Sequence, residues 1–181
     1  MSSKDYEVRY STDIRASDNG RLTGYAAVFN SRSVDLGGFV EVIRPGAFAR
    51  SLREFPDVLA LVEHDTNRVL ARTTNSTLTI AEDERGLRFD LEPADTTYGR
   101  DIVELVRRGD VYGASFRFRV FPGGASLDTS TTPAIRTLTS VQLSEVSIVV
   151  NPAYPATDVN VRHVVDAANR NAMARLRLAA L

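Results

Sequence analysis

Cysteine is absent from this chain. That one absence removes disulfides, thiol nucleophiles and every metal site built on thiolates, and it suits a reducing compartment. Histidine is nearly absent: His64 and His163 are the only two. Two imidazoles without cysteine are a poor ligand set for zinc, and no H-E-x-x-H spacing occurs. A charge excess of either sign is lacking as well. The 22 basic and 23 acidic residues leave a net charge of −1, so there is no electrostatic footprint for nucleic acid or an anionic membrane. No apolar run approaches the roughly 18–20 residues of a membrane span. The start, Met1-Ser-Ser-Lys-Asp-Tyr-Glu7, lacks the apolar centre of a signal peptide. The glycine pairs Gly37-Gly38 and Gly123-Gly124 precede no Lys-Ser/Thr pair, which argues against a phosphate-cradling loop. No acidic cluster has a recognisable pattern for magnesium or calcium. These absences together suggest a soluble cytoplasmic protein without metal or cofactor.

What remains is an ordinary globular balance over 181 residues, 43% hydrophobic and 25% charged, enough for one domain with a core. We place that domain at residues 1–160. The Ala-, Arg- and Leu-rich end, residues 161–181, reads as an amphipathic helix or as a tail that orders on a partner. Internal repeats are missing. Short strands dominate the pattern: Tyr6 to Tyr10, Leu22 to Phe29 after the Asp18-Asn-Gly20 turn, Phe39 to Ile43, and the fully apolar Val58 to Val62. Further strands are expected at Val69 to Arg72, Thr77 to Ala81, Leu87 to Leu91 and along Arg136 to Val150. Pro45 at a first helical position predicts a short helix over Arg44 to Arg53. Asp95 to Gly109 predicts a longer one, capped by Asp95 or Thr96 and stopped by Gly109. Turns are expected at Asp65-Thr-Asn67, and a flexible loop from Pro122 to Pro133. Many short strands with few helices predict a mainly β fold, an antiparallel barrel with peripheral helices.

The stretch Asp110-Val-Tyr-Gly-Ala-Ser-Phe-Arg-Phe-Arg-Val120 stands out. Alternation puts Ser115, Arg117 and Arg119 on one face and Phe116, Phe118 and Val120 on the other, toward a core. A hydroxyl flanked by cations and backbone N–H groups suits a nucleophile with an oxyanion site. The small residues Gly113 and Ala114 leave room for a substrate backbone. His64, at the end of the apolar run, can serve as a base for such a hydroxyl, and a carboxylate can fix its tautomer. Glu145, on a strand face with Leu143, Ser147 and Val149, is the candidate carboxylate. Glu63 and Asp65 are rivals, but their adjacency to His64 in an extended strand turns them to the other face. Each of these residues also has a plainer reading: His64 as a strand-end polar residue, Glu145 and the arginines as a solvated strand face.

Five motifs occur here in one order: Gly24-Tyr-Ala-Ala-Val-Phe29, Arg44-Pro-Gly-Ala-Phe48, the apolar strand ending in His64-Asp65, Gly113-Ala-Ser-Phe-Arg-Phe118, and Leu143-Ser-Glu-Val-Ser-Ile-Val149 followed by Asn151-Pro-Ala-Tyr154. Over about Leu22 to Asp158 the chain resembles the caudovirus prohead proteases, the capsid maturation enzymes of HK97-like phages, which are similar in fold to herpesvirus assemblins. The resemblance implies a serine endopeptidase on an assemblin-like β-barrel. It implies Ser115 as nucleophile, His64 as general base and Glu145 as third member. The assemblins use a second histidine in that third place, and His163 is a distant alternative here. Phe116, Arg117 and Arg119 are the expected oxyanion or substrate-binding positions. The implied substrates are the scaffold or scaffolding segment of the major capsid protein and the protease itself, inside the assembling procapsid in the bacterial cytoplasm, and self-cleavage allows for a homo-oligomer. Two rivals stand beside this reading: a non-catalytic, scaffold-binding virion protein, and a metal-dependent hydrolase.

Overall fold

The computed structural model describes residues 6–150. Twelve strands and two α-helices follow one another along this part of the chain, four strands before, between and after the helices. They are β1 (Glu7–Ser11), β2 (Asp13–Ala16), β3 (Leu22–Val28), β4 (Phe39–Ile43), α1 (Ala49–Glu54), β5 (Leu59–Val62) and β6 (Asp65–Arg72), then β7 (Leu78–Glu82), β8 (Gly86–Leu91), α2 (Thr97–Arg108), β9 (Gly113–Val120), β10 (Ala125–Asp128), β11 (Ala134–Leu138) and β12 (Val141–Val149). The strands form three sheets, in the orders β1-β9-β12-β5-β6, β2-β3-β8-β7 and β10-β11-β4. The fold is therefore mainly β, as expected. The pairing does not by itself make the expected barrel: the ladders fall into three sheets that do not close into one ring. The sheets are also mixed: β5–β12 and β4–β11 pair parallel, while the other pairs are antiparallel.

Several local expectations shift for identifiable reasons. The helix expected from Pro45 begins only at Ala49, because Gly46 adopts a left-handed φ of 86° and breaks the turn before it. A Glu82 carboxylate oxygen then accepts the Phe48 N–H at 2.9 Å and satisfies one of the donors at the helix start. The turn expected at Asp65-Thr-Asn67 lies instead at Glu63-His64, and Asp65 already belongs to β6. The Pro122–Pro133 segment is not all loop, since β10 pairs with β11 within it. Helix α2 matches its sequence signals: the Thr96 side chain accepts the Gly99 N–H at 3.1 Å, and Gly109 ends the helix at φ 81°.

The core sits against one face of the five-stranded sheet. Phe116 and Phe118 of β9 are fully buried and stack with centroids 5.2 Å apart. Phe48 meets Phe116 edge-on at 5.5 Å. Burying side chains of this size is worth about 2–3 kcal/mol each. This aromatic layer fixes which face of β9 is turned away from the core, and Ser115 and Arg117 are on it.

Strand β1 is held at the edge by a buried ion cluster. Arg9 donates from Nε and Nη2 to the two Glu41 carboxylate oxygens, at 2.8 Å each, and from Nη2 to Glu7 at 2.7 Å. Arg136 donates to Glu7 at 2.5 and 2.8 Å and to Glu41 at 3.0 Å. Two cations and two anions thus balance across β1, β4 and β11. Leaving one of them unpaired in such a site costs about 3–5 kcal/mol.

Burial alone pushes the Glu7 carboxyl up, but the Arg136 hydrogen bonds and the charges of Arg9 and Arg136 outweigh it and hold the group below its ordinary value of 4.5. A depressed carboxyl stabilises the fold above its unfolded value and loses that contribution as the pH falls through its folded one. The stability gap between wild type and Glu7→Gln, measured by urea unfolding, is therefore expected to be widest near neutrality and to shrink below about pH 4.5.

Candidate active site

The three residues singled out from the sequence come from three separate elements. Ser115 is the third residue of β9, Glu145 lies on β12, and His64 sits in the turn joining β5 to β6. The Ser115 hydroxyl oxygen is 2.8 Å from His64 Nε2. On the other side of the ring, His64 Nδ1 meets Glu145 Oε1 in a short contact. With Nδ1–H turned to the carboxylate, Nε2 is left as the acceptor facing the hydroxyl.

Register explains how the carboxylate arrives there. Leu143 pairs with Phe118, but Glu145 pairs with Arg117, so Ser144 is an extra residue on β12. Such a bulge reverses the alternation locally. The sequence pattern groups Glu145 with Leu143 on one face; the bulge separates them. Leu143 stays on the core face with Phe118, while Glu145 joins Ser147, Arg117 and Ser115 on the other. Ser147 pairs directly with Ser115.

The histidine is placed by strain. Glu63 and His64 both take left-handed φ values, 51° and 59°, between the paired residues Val62 and Asp65. A two-residue hairpin of this kind favours Asn-Gly because other side chains crowd the backbone. Holding two non-glycine residues so costs on the order of 1 kcal/mol or more each. The turn is clamped to β12 from both sides of Glu63: its N–H donates to the Ile148 carbonyl at 3.0 Å, and its carboxylate accepts the Val150 N–H at 2.5 Å. The clamp ties the imidazole to the strand that carries its carboxylate partner.

Ser115 is completely buried, and Glu145 is 4% exposed. Tyr10 of β1 lies across the ladder from Ser115, with its ring edge-on to His64 at 6.4 Å. Burial pushes the Tyr10 phenol up, and the charge of Glu63 adds to this against the opposing pull of Arg9. The Ser115 hydroxyl has a second acceptor, the Arg9 carbonyl at 2.9 Å. Arg9 therefore acts in two directions, with its side chain in the ion cluster and its carbonyl against the serine. Ser147 donates to Glu145 Oε1 at 3.2 Å, and Arg117 Nε lies 3.7 Å from the same oxygen. Ionised in place, this constellation can take a proton from a hydroxyl and stabilise the resulting imidazolium, which is the chemistry of acyl transfer.

The family model described as caudovirus prohead serine protease matches residues 4–171. The chain belongs to that family. A solved structure of the bacteriophage T4 capsid assembly protease, gp21, is similar with a TM-score of 0.53 over 80% of this chain and 98% of that one. Identity is 8%, so the likeness shows the fold. None of the curated proteins matches.

This prohead protease is thus a serine peptidase, and other positions can be judged against that chemistry. Arg117 is on the Ser115 face and beside the carboxylate. Arg119 is not part of the cluster: its guanidinium stacks 3.8 Å from the centre of the Tyr6 ring. The Phe116 side chain lies in the core, and β9 is an interior strand with β1 and β12 on its two edges, so Phe116 can offer only a ladder N–H. The Pro122–Pro133 segment leaves the far end of β9, about 17 Å of strand from Ser115. Gly113 and Ala114 are buried, Ala114 between β1 and β12 and Gly113 against Val149 of β12, rather than open to a ligand. His163 lies outside the described residues. The sequence did not signal Tyr10 or the Arg9 carbonyl, which only the β1–β9 pairing brings to the site, and it offered Glu63 as a rival carboxylate rather than as the clamp of the turn. Ser147 was signalled by its place two residues after Glu145.

If the clamp positions the imidazole, Glu63→Ala should lower kcat for peptide cleavage by about 10- to 100-fold. The thermal midpoint should move little. Gel densitometry of the cleavage, with circular dichroism of the same sample, checks both.

Proposed function

We propose that this protease cleaves the scaffold or scaffolding segment of the major capsid protein, and itself, inside the assembling procapsid. The observation that carries the reading is the continuous contact from the Ser115 hydroxyl through both nitrogens of His64 to Glu145. In this reading Ser115 is the nucleophile, His64 the general base and Glu145 the residue that fixes the tautomer. His64 Nε2 takes the hydroxyl proton as the serine oxygen bonds to the scissile carbonyl carbon, and the carbonyl electrons move onto its oxygen. Collapse breaks the C–N bond, and the imidazolium gives its proton to the departing amine. Water, deprotonated by the same nitrogen, then attacks the ester carbon; collapse breaks its bond to the Ser115 oxygen, which takes the proton back from the imidazolium.

Preorganised donors for the developing oxyanion are typically worth about 3–4 kcal/mol each. Arg117 is the cation best placed to assist, directly or through a water, whereas Arg119 and Phe116 are turned elsewhere. Ser115 is fully buried, and substrate reaches it past Tyr10, the 43% exposed residue across the ladder on β1. An assemblin-type barrel belongs to the same proposal; contacts of β3 with β1 and β9 support it by joining two of the sheets. Self-association and a packaging role for residues 161–181 complete it.

Co-expression with the major capsid protein is the direct test. Wild type should yield shortened capsid protein and shortened protease, and Ser115→Ala should yield neither. Equal trimming in both samples, or activity abolished by a chelator and not by a serine-directed phosphonate, would overturn the reading. In the same assay Glu145→Gln should lower kcat by about 10⁴-fold with KM little changed, as expected when the wrong tautomer is held. Ending the chain after Val161 should leave peptidase activity and reduce the amount of protease recovered in procapsids.

A further inference from the structure

One carboxylate oxygen in the site carries an unusual load. Glu145 Oε1 meets His64 Nδ1, accepts the Ser147 hydroxyl at 3.2 Å, and has Arg117 Nε at 3.7 Å. Ser147 is fully buried, and Arg117 is about one-third exposed, at 32%. All four side chains share one face of the β9–β12 ladder, where Arg117 pairs with Glu145 and Ser115 with Ser147.

We propose that Arg117 and Ser147 are positioning residues that hold the Glu145 carboxylate and partly offset its charge, and so limit how strongly it draws a proton onto His64. The inference rests on the triad reading above and adds two members to it. An uncompensated, buried carboxylate against an imidazole favours the imidazolium. A histidine that stays protonated cannot accept the serine proton. A guanidinium beside the same oxygen opposes this in two ways, by neutralising the carboxylate and by repelling a second cation. The Ser147 hydroxyl adds a hydrogen bond to the same carboxylate oxygen that meets His64 Nδ1. Loss of either partner leaves His64 more basic and the protease inactive over a wider acidic range.

The remaining groups around the ring do not replace Arg117. Tyr10 faces it from β1 and carries no positive charge. Glu63, its neighbour in the turn, is anionic and engaged with the Val150 N–H. Asp65, on β6, is held by Asn67 and Arg68. The Arg9–Glu41–Glu7–Arg136 cluster is balanced and sits with Phe118, on the opposite side of the sheet from Ser115.

The test is the pH dependence of kcat/KM for capsid-protein cleavage by wild type, Arg117→Gln, Arg117→Lys and Ser147→Ala, with the His64 titration followed by NMR. Only two histidines need assignment. Arg117→Gln should move the acid limb, and the His64 midpoint with it, upward by about one pH unit. Arg117→Lys should restore the midpoint. Ser147→Ala should shift the midpoint in the same direction by less and lower kcat about threefold to tenfold, with KM unchanged. If Arg117→Gln lowers the rate equally at every pH and leaves the His64 midpoint in place, the positioning role is wrong. If His64→Ala cleaves as fast as wild type, the triad reading itself fails, which is a different result. The NMR midpoint is read on the folded protein and stands even for a variant with too little activity to assay.

Discussion

The β9–β12 ladder is the constraint on which the site depends. It sets Ser147 opposite Ser115 and Glu145 opposite Arg117, and it does so only because β12 carries one residue more than β9 between Leu143 and Glu145. Without the extra residue the carboxylate and the hydroxyl would be on opposite faces, one in water-poor aromatic surroundings and the other outside it. The aromatic layer of Phe48, Phe116 and Phe118 makes this register costly to change, since a slip by one position exchanges phenyl rings for arginines across the whole strand. Packing energy from the core is thus what holds a polar constellation in place.

Two further devices surround the ladder. On one side, β1 is fixed by a four-charge cluster whose side chains reach into neighbouring strands while the Arg9 carbonyl touches the serine. On the other, the β5–β6 turn spends backbone strain at Glu63 and His64 and recovers it through bonds to β12. Strain concentrated at a functional turn is expected where the surrounding structure over-determines the conformation. Here the strands on both sides, and the clamp to Ile148 and Val150, supply that over-determination.

Much of this was legible in the sequence, and what was not has physical causes. The alternation of Gly113 to Val120 correctly turned Phe116 and Phe118 to the core, because strand period is a strong signal when one face is aromatic. Helix α2 was legible from its cap and its terminal glycine. The bulge at Ser144 was not, since nothing in Leu-Ser-Glu-Val-Ser marks which residue is left unpaired; that is decided by the partner strand. The left-handed turn was hidden for the same reason. Glu-His has none of the chemistry that announces a tight hairpin, so the polar Asp65-Thr-Asn67 drew the turn to itself. Ring closure was not legible, because pattern gives strand content but not closure, and two of the pairings are parallel, between strands far apart in sequence.

The position of β12 has a consequence for how the enzyme comes into being. This strand is inserted between β9 and β5, so the five-stranded sheet has a gap until the last described strand arrives. A chain growing from its N-terminus displays the imidazole first, then the hydroxyl, and the carboxylate only afterwards. Contacts between such distant segments form late, because loop closure precedes their gain. Until β12 docks between β9 and β5, the strand that carries Glu145 is missing, so Ser115, His64 and Glu145 come together only when the sheet is complete.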